Sequence, residues 1–292
     1  MIPKEVLRNI KKIQITTSRM VTDVFAGKYQ SVFKGTGMEF YEVREYLPGD
    51  EIRAIDWNVT ARMGHPYVKK FVEERELTVM LVLDASMSCR FGSVKQLKNQ
   101  LAAELCSVLA FSAIQNNDKV GLIIFTDRIE KFVPPRKGLR HVLRVIREAL
   151  YYQPQGKGTD IALALEYLNR VTKRKAISFI ISDFFAPDYL KRLSVTNKRH
   201  DIIAVTITDP REIEIPDIGI VQLRDAETGK NILVDTSDKV FRKRYSEDAR
   251  NRMNNREKMF LSSNVDRIDI RTNVPYMREL IKFFRARERK LR

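Results

Sequence analysis

The chain has 292 residues, of which 43% are apolar, so it is long enough to bury one large core or two smaller ones. No stretch approaches the roughly 20 apolar residues that a membrane-spanning helix needs, and the charged start of the chain lacks the apolar core of a signal peptide. The two cysteines, Cys89 and Cys106, belong to no metal-type motif. These features predict a cytoplasmic protein with reduced thiols.

The net charge of +16 is concentrated near the end of the chain, where residues 241–292 hold 16 Lys and Arg against 7 Asp and Glu. Two interpretations stay open. The surplus either forms the solvated faces of amphipathic helices, or it binds an anionic partner such as nucleic acid. The cations that would contact phosphates are Arg271, Arg278, Lys282, Arg285, Arg287, Arg289 and Lys290.

The first 77 residues differ in pattern from the rest. Val6, Ile10 and Ile13 mark one face of a basic N-terminal helix. The stretch 34–64 is punctuated by Gly and Pro, yet it holds too many aromatic residues for a disordered linker. We therefore predict that residues 1–77 form a loop-rich collar.

Charges within this collar alternate in sign around its tryptophan. An ion-pair network that fixes the loops is one interpretation of the pattern, because loops must satisfy their polar groups without backbone ladders. A partner-docking surface is the other, in which a tryptophan and arginines are typical hot spots. The residues concerned are Arg44, Asp50, Arg53, Asp56, Trp57 and Arg62.

From residue 78 onward apolar runs alternate with helical patterns, which predicts an α/β fold: a doubly wound, mostly parallel sheet with helices on both faces. The predicted strands cover 78–84, 119–126, 176–183, 201–209 and 265–272, with an antiparallel edge strand at 129–135 whose prolines exclude a central position. The predicted helices cover 93–115, 138–150, 160–172, 187–195, 238–261 and 276–290, and a hairpin at 219–235 is inserted.

Oxygen-bearing side chains follow three of these elements. D-A-S-M-S places Asp84, Ser86 and Ser88 at the end of the first long strand; G-K-G-T-D places Thr159 at a helix start, and I-S-D places Asp183 at a strand end. Individually these residues suit helix caps or turns. Together, at the carboxyl edge where parallel sheets bind ligands, they favour a hard cation such as Mg²⁺ or Mn²⁺.

This ordered set resembles the metal-ion-dependent adhesion site of a von Willebrand factor A-like domain, and the resemblance covers residues 78–292. It implies that Ser86, Ser88 and Thr159 offer hydroxyls to the cation. It also implies that Asp84 and Asp183 bind the cation directly or through water.

R-E-Y-L-P-G-D-E-I-R-A-I-D-W, followed later by V-P-P-R-K-G, I-S-D-F and D-A-E-T-G, is similar to the domain of unknown function 58 family over nearly the whole chain. That family pairs such a collar with a von Willebrand A-like domain. Its genes are commonly found beside those of MoxR-type AAA+ ATPases, which implies an adaptor or chaperone-like role with such a partner.

The leading functional prediction is a metal-dependent protein-binding adaptor, in which an acidic side chain of the partner completes the cation site. The chain has no phosphate-binding G-x-x-x-x-G-K-[ST] loop, so ATP-driven work would belong to the partner. An enzyme is disfavoured, because Ser86 replaces the second acid of a D-x-D nucleophile motif and no G-x-S-x-G elbow occurs. Nucleic-acid binding by the basic C-terminal helices is the alternative.

Overall fold

The computed structural model describes residues 39–72, 77–94, 96–225 and 229–291. The described chain divides into two compact units that meet in sequence at Leu77 and Thr78. The predicted N-terminal helix with Val6, Ile10 and Ile13 lies outside the described residues.

The smaller unit is built on an antiparallel strand pair. Its elements are β1 (Glu39–Glu45), a 3₁₀ turn (Ile52–Ala54), α1 (Trp57–Met63) and β2 (Tyr67–Val72). Helix α1 ends at Gly64, whose φ of 78° is the left-handed conformation that favours glycine at a helix C-terminus. The prediction of a loop-rich segment misses β1, because it gives the Gly and Pro punctuation more weight than the alternation in E-F-Y-E-V-R-E.

The larger unit contains a six-stranded sheet, a hairpin and six helices longer than one turn in its described part. The strands are β3 (Thr78–Asp84), β4 (Lys119–Phe125), β5 (Ile129–Arg136), β6 (Ile177–Ser182), β7 (Asp201–Thr208), β8 (Ile220–Arg224), β9 (Asn231–Asp235) and β10 (Asp266–Arg271). The helices are α2 (Lys98–Gln115), α3 (Leu139–Tyr151), α4 (Ile161–Val171), α5 (Leu190–Arg199), α6 (Lys239–Ser262) and α7 (Tyr276–Leu291), with 3₁₀ turns at Met87–Arg90 and Pro210–Glu212.

The strand order in the large sheet is β10-β7-β6-β3-β4-β5, and every pair is parallel except β4 with β5. The first strand of the unit therefore lies in the interior of the sheet, with β6 and β4 as its neighbours. Six of the seven residues of β3 are buried, as expected for a strand covered on both faces. This order brings the carboxyl ends of β3 and β6 side by side.

Helices cover both faces of this sheet. On one face α4 and α5 pack against alternate residues of the central strands, including Met80, Val82 and Ile180. On the other face α2 packs against α3 and the sheet, and it is buried on nearly all sides from Leu101 to Ala113. A helix that is apolar all round is typical of such a covered position.

The predicted fold class is confirmed, including the antiparallel edge strand and the inserted hairpin. Some boundaries differ: the helix predicted at 187–195 spans Leu190–Arg199, and the helix predicted to begin at residue 93 begins at Lys98. Ser93 instead donates a backbone hydrogen bond of 2.9 Å to Asp209 Oδ2, which holds the preceding loop against the end of β7. Among the described helices, none has the length and apolar character needed to cross a bilayer.

Candidate cation site at the carboxyl edge of the sheet

The D-A-S-M-S turn gathers a carboxylate and two hydroxyls. Asp84 ends β3 and is only 1% exposed. Its Oδ1 accepts a hydrogen bond of 2.9 Å from the backbone N–H of Ser86, which folds the turn back over the strand end. As a result the Oγ atoms of Ser86 and Ser88 lie 3.0 Å apart. The two hydroxyls predicted from alternate positions do converge.

Asp183 joins this group from the neighbouring strand. It follows β6 directly and is fully buried. One carboxylate oxygen of Asp183, one of Asp84 and the sulfur of Cys89 all lie within 4.8 Å of one another. Ser182 Oγ donates a hydrogen bond of 2.6 Å to Asp84 Oδ2 and so connects the two strand ends. Phe184, the next residue, has a φ of 58°, a conformation that costs an aromatic residue about 1–2 kcal/mol.

The loop that carries Thr159 is fastened to the same turn. The backbone N–H of Met87 donates a hydrogen bond of 3.0 Å to the carbonyl of Lys157, two residues before Thr159. Asp160 caps α4 by accepting a hydrogen bond of 2.8 Å from the N–H of Leu163. The helix-capping role predicted for the G-K-G-T-D segment therefore belongs to Asp160. In the sequence, Thr159 lies between this cap and Lys157, whose carbonyl is bonded to Met87.

A glycine allows this loop to approach so closely. A Cβ on Gly156 would lie 2.0 Å from Asp127 Oδ1 and 2.1 Å from Thr126 Oγ1. Glu130 Oε1 accepts hydrogen bonds from the N–H of Gly156 (2.7 Å) and from Thr126 Oγ1 (2.9 Å). These hydrogen bonds lower the pKa of Glu130 against the raising effect of burial. The anchor keeps the loop over the carboxyl end of β4.

A buried lysine completes the site, and the sequence prediction does not include it. Lys98 is 0% exposed, and its Nζ lies 2.8 Å from Asp183 Oδ2 and 2.5 Å from Glu212 Oε1. Glu212 is itself fixed, because its Oε2 accepts a hydrogen bond of 2.8 Å from the N–H of Asp209. A usable signal was present: Lys98 continues the spacing of Leu101 and Leu105 on a buried helix, which is an unusual place for a lysine.

Burial governs the electrostatics of this cluster. Burial first, and the Asp183 carboxylate second, raise the pKa of Asp84 to about 6. Burial and the two aspartates also raise the pKa of the Cys89 thiol well above its usual range. Burial alone would lower the pKa of Lys98, but the carboxylates of Asp183 and Glu212 outweigh it and raise this pKa. Lys98 is therefore a permanent ammonium ion.

The donor set has the chemistry that a hard divalent cation requires. Asp84, Ser86 and Ser88 supply a carboxylate and two hydroxyls from one turn. The donors to the Asp84 carboxylate, which are the N–H and hydroxyl of Ser86 and the hydroxyl of Ser182, are neutral groups. Asp183 differs, since its Oδ2 is bound to Lys98 and its Oδ1 accepts from the N–H of Phe185 at 3.1 Å. The residues fit a cation on the Asp84 side of the cluster.

Exposed apolar side chains belong to the loops that surround this edge. Phe91, Val94 and Leu97 precede α2, and Phe185 follows Asp183; each is at least 36% exposed. Lys98 Nζ and the Arg252 guanidinium each lie 6.0 Å from the centre of the Phe185 ring. Aromatic and apolar side chains beside cationic groups are typical of protein-binding surfaces.

The predicted docking residues of the smaller unit have divided roles. Arg44 makes a two-pronged ion pair with Asp50, with distances of 2.8 and 2.7 Å, and this lowers the pKa of Asp50. Asp56 caps α1 by accepting from the N–H groups of Asn58 and Val59. The remaining predicted residues, Arg53, Trp57 and Arg62, are exposed. Trp57 is 66% exposed.

Several of the C-terminal cations are engaged in ion pairs. Arg287 pairs with Asp201 and Asp266, and Lys290 lies 3.2 Å from Asp266. Arg256, on α6, donates a hydrogen bond of 2.6 Å to the carbonyl of Asp183. Part of the basic surplus therefore stabilises the packing of α6 and α7, and nothing among the described residues favours nucleic-acid binding.

Comparison with known proteins identifies relatives in sequence and in structure. A protein of Mycobacterium tuberculosis, itself described as uncharacterized, is 34% identical over 223 residues, which is 75% of this chain and 70% of the relative. Two solved structures are similar to this chain at low sequence identity. An aerotolerance-related membrane protein of Bacteroides fragilis has a TM-score of 0.48 at 17% identity, covering 73% of this chain and 99% of its own. The SpRpn10 VWA domain has a TM-score of 0.39 at 12% identity, covering 70% and 94%.

The profile of the family described as "Protein of unknown function DUF58" matches residues 42–255. The match extends from the smaller unit through five of the six strands of the large sheet, β3 to β7, and ends within α6. It therefore includes Asp84, Ser86, Ser88, Thr159 and Asp183. The chain belongs to the DUF58 family.

Proposed function

We propose that this chain is a non-enzymatic adaptor that binds a partner protein at the carboxyl edge of its main sheet. In this proposal Asp84, Ser86 and Ser88 hold a Mg²⁺ or Mn²⁺ ion, with Thr159 and Asp183 as the further residues of the site. When bound, the cation supplies an open coordination position for an acidic side chain of the partner.

The observation that carries the proposal is the convergence of Asp84, Ser86 and Ser88 beside Asp183 at the ends of two neighbouring strands. Burying carboxylates is unfavourable, and the hydrogen-bond donors to Asp84 from Ser86 and Ser182 are neutral. The left-handed Phe184 adds backbone strain at the same point. Energetically unfavourable features that coincide at one sheet edge are typical of a binding site.

The rest of the edge suits a protein partner better than a small molecule. Phe91, Val94, Leu97 and Phe185 offer apolar contact area around the polar centre. In the smaller unit Trp57 is exposed together with Arg53 and Arg62, and we propose these three as a second contact surface.

We propose a MoxR-type AAA+ ATPase as the partner, in a chaperone-like or complex-assembly role. The support is the gene neighbourhood implied by the resemblance described under the sequence analysis, together with the lack of a phosphate-binding loop in this chain. We further propose that the pair acts in the cytoplasm, where Cys89 and Cys106 stay reduced.

The test is capture of the MoxR-type ATPase by the immobilised chain, in Mg²⁺ and in excess chelator. We expect capture in Mg²⁺ that is lost in chelator, and lost in the Ser86→Ala/Ser88→Ala variant, because both remove the cation. Trp57→Ala should weaken capture in Mg²⁺ while leaving metal affinity unchanged. Ser107→Ala is the matched control, since Ser107 is a buried serine bonded to a helix carbonyl away from the site.

Capture that is equal in Mg²⁺ and chelator would contradict the metal requirement and leave the adaptor role standing. Absence of capture under every condition would contradict the choice of partner. Calorimetry on the same proteins measures metal affinity independently of the partner, and so tests the cation site even when no capture is seen.

A further inference from the structure

Lys98 places a fixed positive charge inside the proposed cation site. We infer that Lys98 is an internal counter-ion that binds Asp183 in place of a metal and thereby weakens the affinity of this edge for divalent cations. The inference rests on the proposed function in one respect only, namely that Asp84 and its neighbouring hydroxyls are the cation ligands.

The ammonium is held by contacts from separate parts of the fold. Asp183, after β6, and Glu212, after β7, bind Nζ at 2.8 and 2.5 Å. The backbone N–H of Lys98 donates a hydrogen bond of 2.9 Å to the carbonyl of Phe91. With 0% exposure, the side chain cannot exchange these partners for water without moving the start of α2.

Its carboxylate partners are fixed as well. Glu212 is bonded to the N–H of Asp209, and Asp209 in turn accepts hydrogen bonds from the N–H of Ser93 and from Thr272 Oγ1. Asp183 has a donor on each oxygen, Lys98 Nζ and the N–H of Phe185. A cation that used Asp183 would have to replace an existing charge-assisted hydrogen bond.

Charge counting leads to the same conclusion. Asp84, Asp183 and Glu212 carry three negative charges when ionised, and Lys98 carries one positive charge. Like charges a few ångströms apart in a buried site repel strongly, so the ammonium opposes a divalent ion at the same carboxylates. The ammonium therefore gives Asp183 a permanent partner and leaves Asp84 as the carboxylate open to an added cation.

Removal of the ammonium should convert this edge into a stronger metal site. The best variant is Lys98→Met/Glu212→Gln, because it removes one charge of each sign and leaves the net charge of the cluster unchanged. A gain in metal affinity then comes from freeing Asp183 and removing local repulsion, and not from a more negative cluster. Lys98→Gln/Glu212→Gln provides a second, more polar version of the same comparison if the methionine variant does not fold.

The experiment titrates Mn²⁺ alone into metal-stripped wild type and Lys98→Met/Glu212→Gln by calorimetry, with circular dichroism to verify folding. We expect the double variant to bind Mn²⁺ at least about tenfold more tightly than wild type, given the repulsion that is removed. Adding Asp183→Asn should reverse the gain. Lys282→Met, at an exposed lysine, is the control and should bind as wild type does.

Equal or weaker Mn²⁺ binding by the double variant would overturn the inference, and tight binding by wild type in that case would leave the proposed function intact. Absence of binding by both proteins would also overturn it, because Lys98 would then not be what limits binding. Binding by the variant alone would support the inference, and would at the same time show that wild type needs no metal.

Discussion

The buried pair of Lys98 and Asp183 and the buried His200 lie at opposite ends of the same sheet and differ in charge. At the carboxyl end, Lys98 and Asp183 are buried as a charged pair, 2.8 Å apart. At the amino end, His200 is 1% exposed; its Nδ1 accepts a hydrogen bond from the N–H of Ala176, and its Nε2 has no partner in the described residues. Burial, together with Arg199, lowers the pKa of His200 to about 4, so this side chain is neutral at pH 7.

The contrast concerns what each kind of burial costs. A neutral histidine avoids burying a charge at the start of a strand. A buried ion pair seldom stabilises a fold more than apolar residues of the same size would. The buried charges at the carboxyl end therefore support the binding role proposed above.

The largest effect on stability is expected when only one partner of the buried ion pair is removed. Lys98→Met alone leaves the buried Asp183 and the partly buried Glu212 without their cation, which should lower the free energy of unfolding by about 3–5 kcal/mol. Urea unfolding at pH 7 in chelator measures this. Lys282→Met, at an exposed position, should change stability by less than about 0.5 kcal/mol. A loss below about 1 kcal/mol for Lys98→Met would mean that the buried pair is not energetically special.

The neutral state of His200 is best tested by measuring how stability changes as the pH is lowered. The pKa of His200 falls from an ordinary 6.5 to about 4 on folding, so the unfolded chain binds more protons between these values. Its contribution is fully present above pH 6.5 and is lost as the pH falls toward 4, amounting to about 3 kcal/mol. Urea unfolding from pH 7 to 4 should show a steeper loss for wild type than for His200→Gln. Parallel profiles would contradict the assignment of a neutral buried histidine.

A glycine substitution tests whether the loop that carries Thr159 contributes to the proposed cation site. Gly156→Ala forces a Cβ against Thr126 and Asp127, and such overpacking costs about 1–3 kcal/mol. We also expect weaker Mn²⁺ binding, because the loop would move away from Met87. Gly138→Ala is the control for metal binding; nothing lies within 4 Å of its Cβ, although its φ of 97° makes some strain unavoidable. Unchanged metal affinity in Gly156→Ala would remove Thr159 from the site.

The smallest effect has the opposite sign. The pKa of Asp84 rises from an ordinary 3.8 to about 6 on folding, so the folded protein disfavours the ionised form. The penalty is absent below pH 3.8 and complete above pH 6. In chelator at pH 7.5, Asp84→Asn should therefore stabilise the protein by about 1–2 kcal/mol, allowing for a less favourable hydrogen bond to the amide. The gain should vanish by pH 4, and metal binding should be lost at every pH.

A destabilised Asp84→Asn variant at pH 7.5 would show instead that the hydrogen bonds of the carboxylate outweigh its burial. That result would reduce the contrast between the two ends of the sheet, because the ionised Asp84 at the carboxyl end would then stabilise the fold.

The sequence alone determined the fold class and part of the site. Apolar runs of β3, β4, β6 and β7 are long enough to identify a parallel sheet, and parallel strands must end at the same edge. For that reason Asp84 and Asp183, each at a strand end, could be grouped before any coordinates were known. The sequence also placed Ser86 and Ser88 directly after Asp84, although the 3₁₀ turn at Met87–Arg90 that brings their hydroxyls together was not predicted.

Only the tertiary structure decided how that site is charged. Lys98 lies 85 residues from Asp183 and 114 from Glu212, and no local pattern specifies that their side chains meet. The contacts of Arg44, Asp50 and Asp56 were likewise decided by the structure, which shows an ion pair between Arg44 and Asp50 and a helix cap at Asp56. Strand and helix periodicity reports which residues are buried, whereas the partner of a buried charge depends on how distant segments pack.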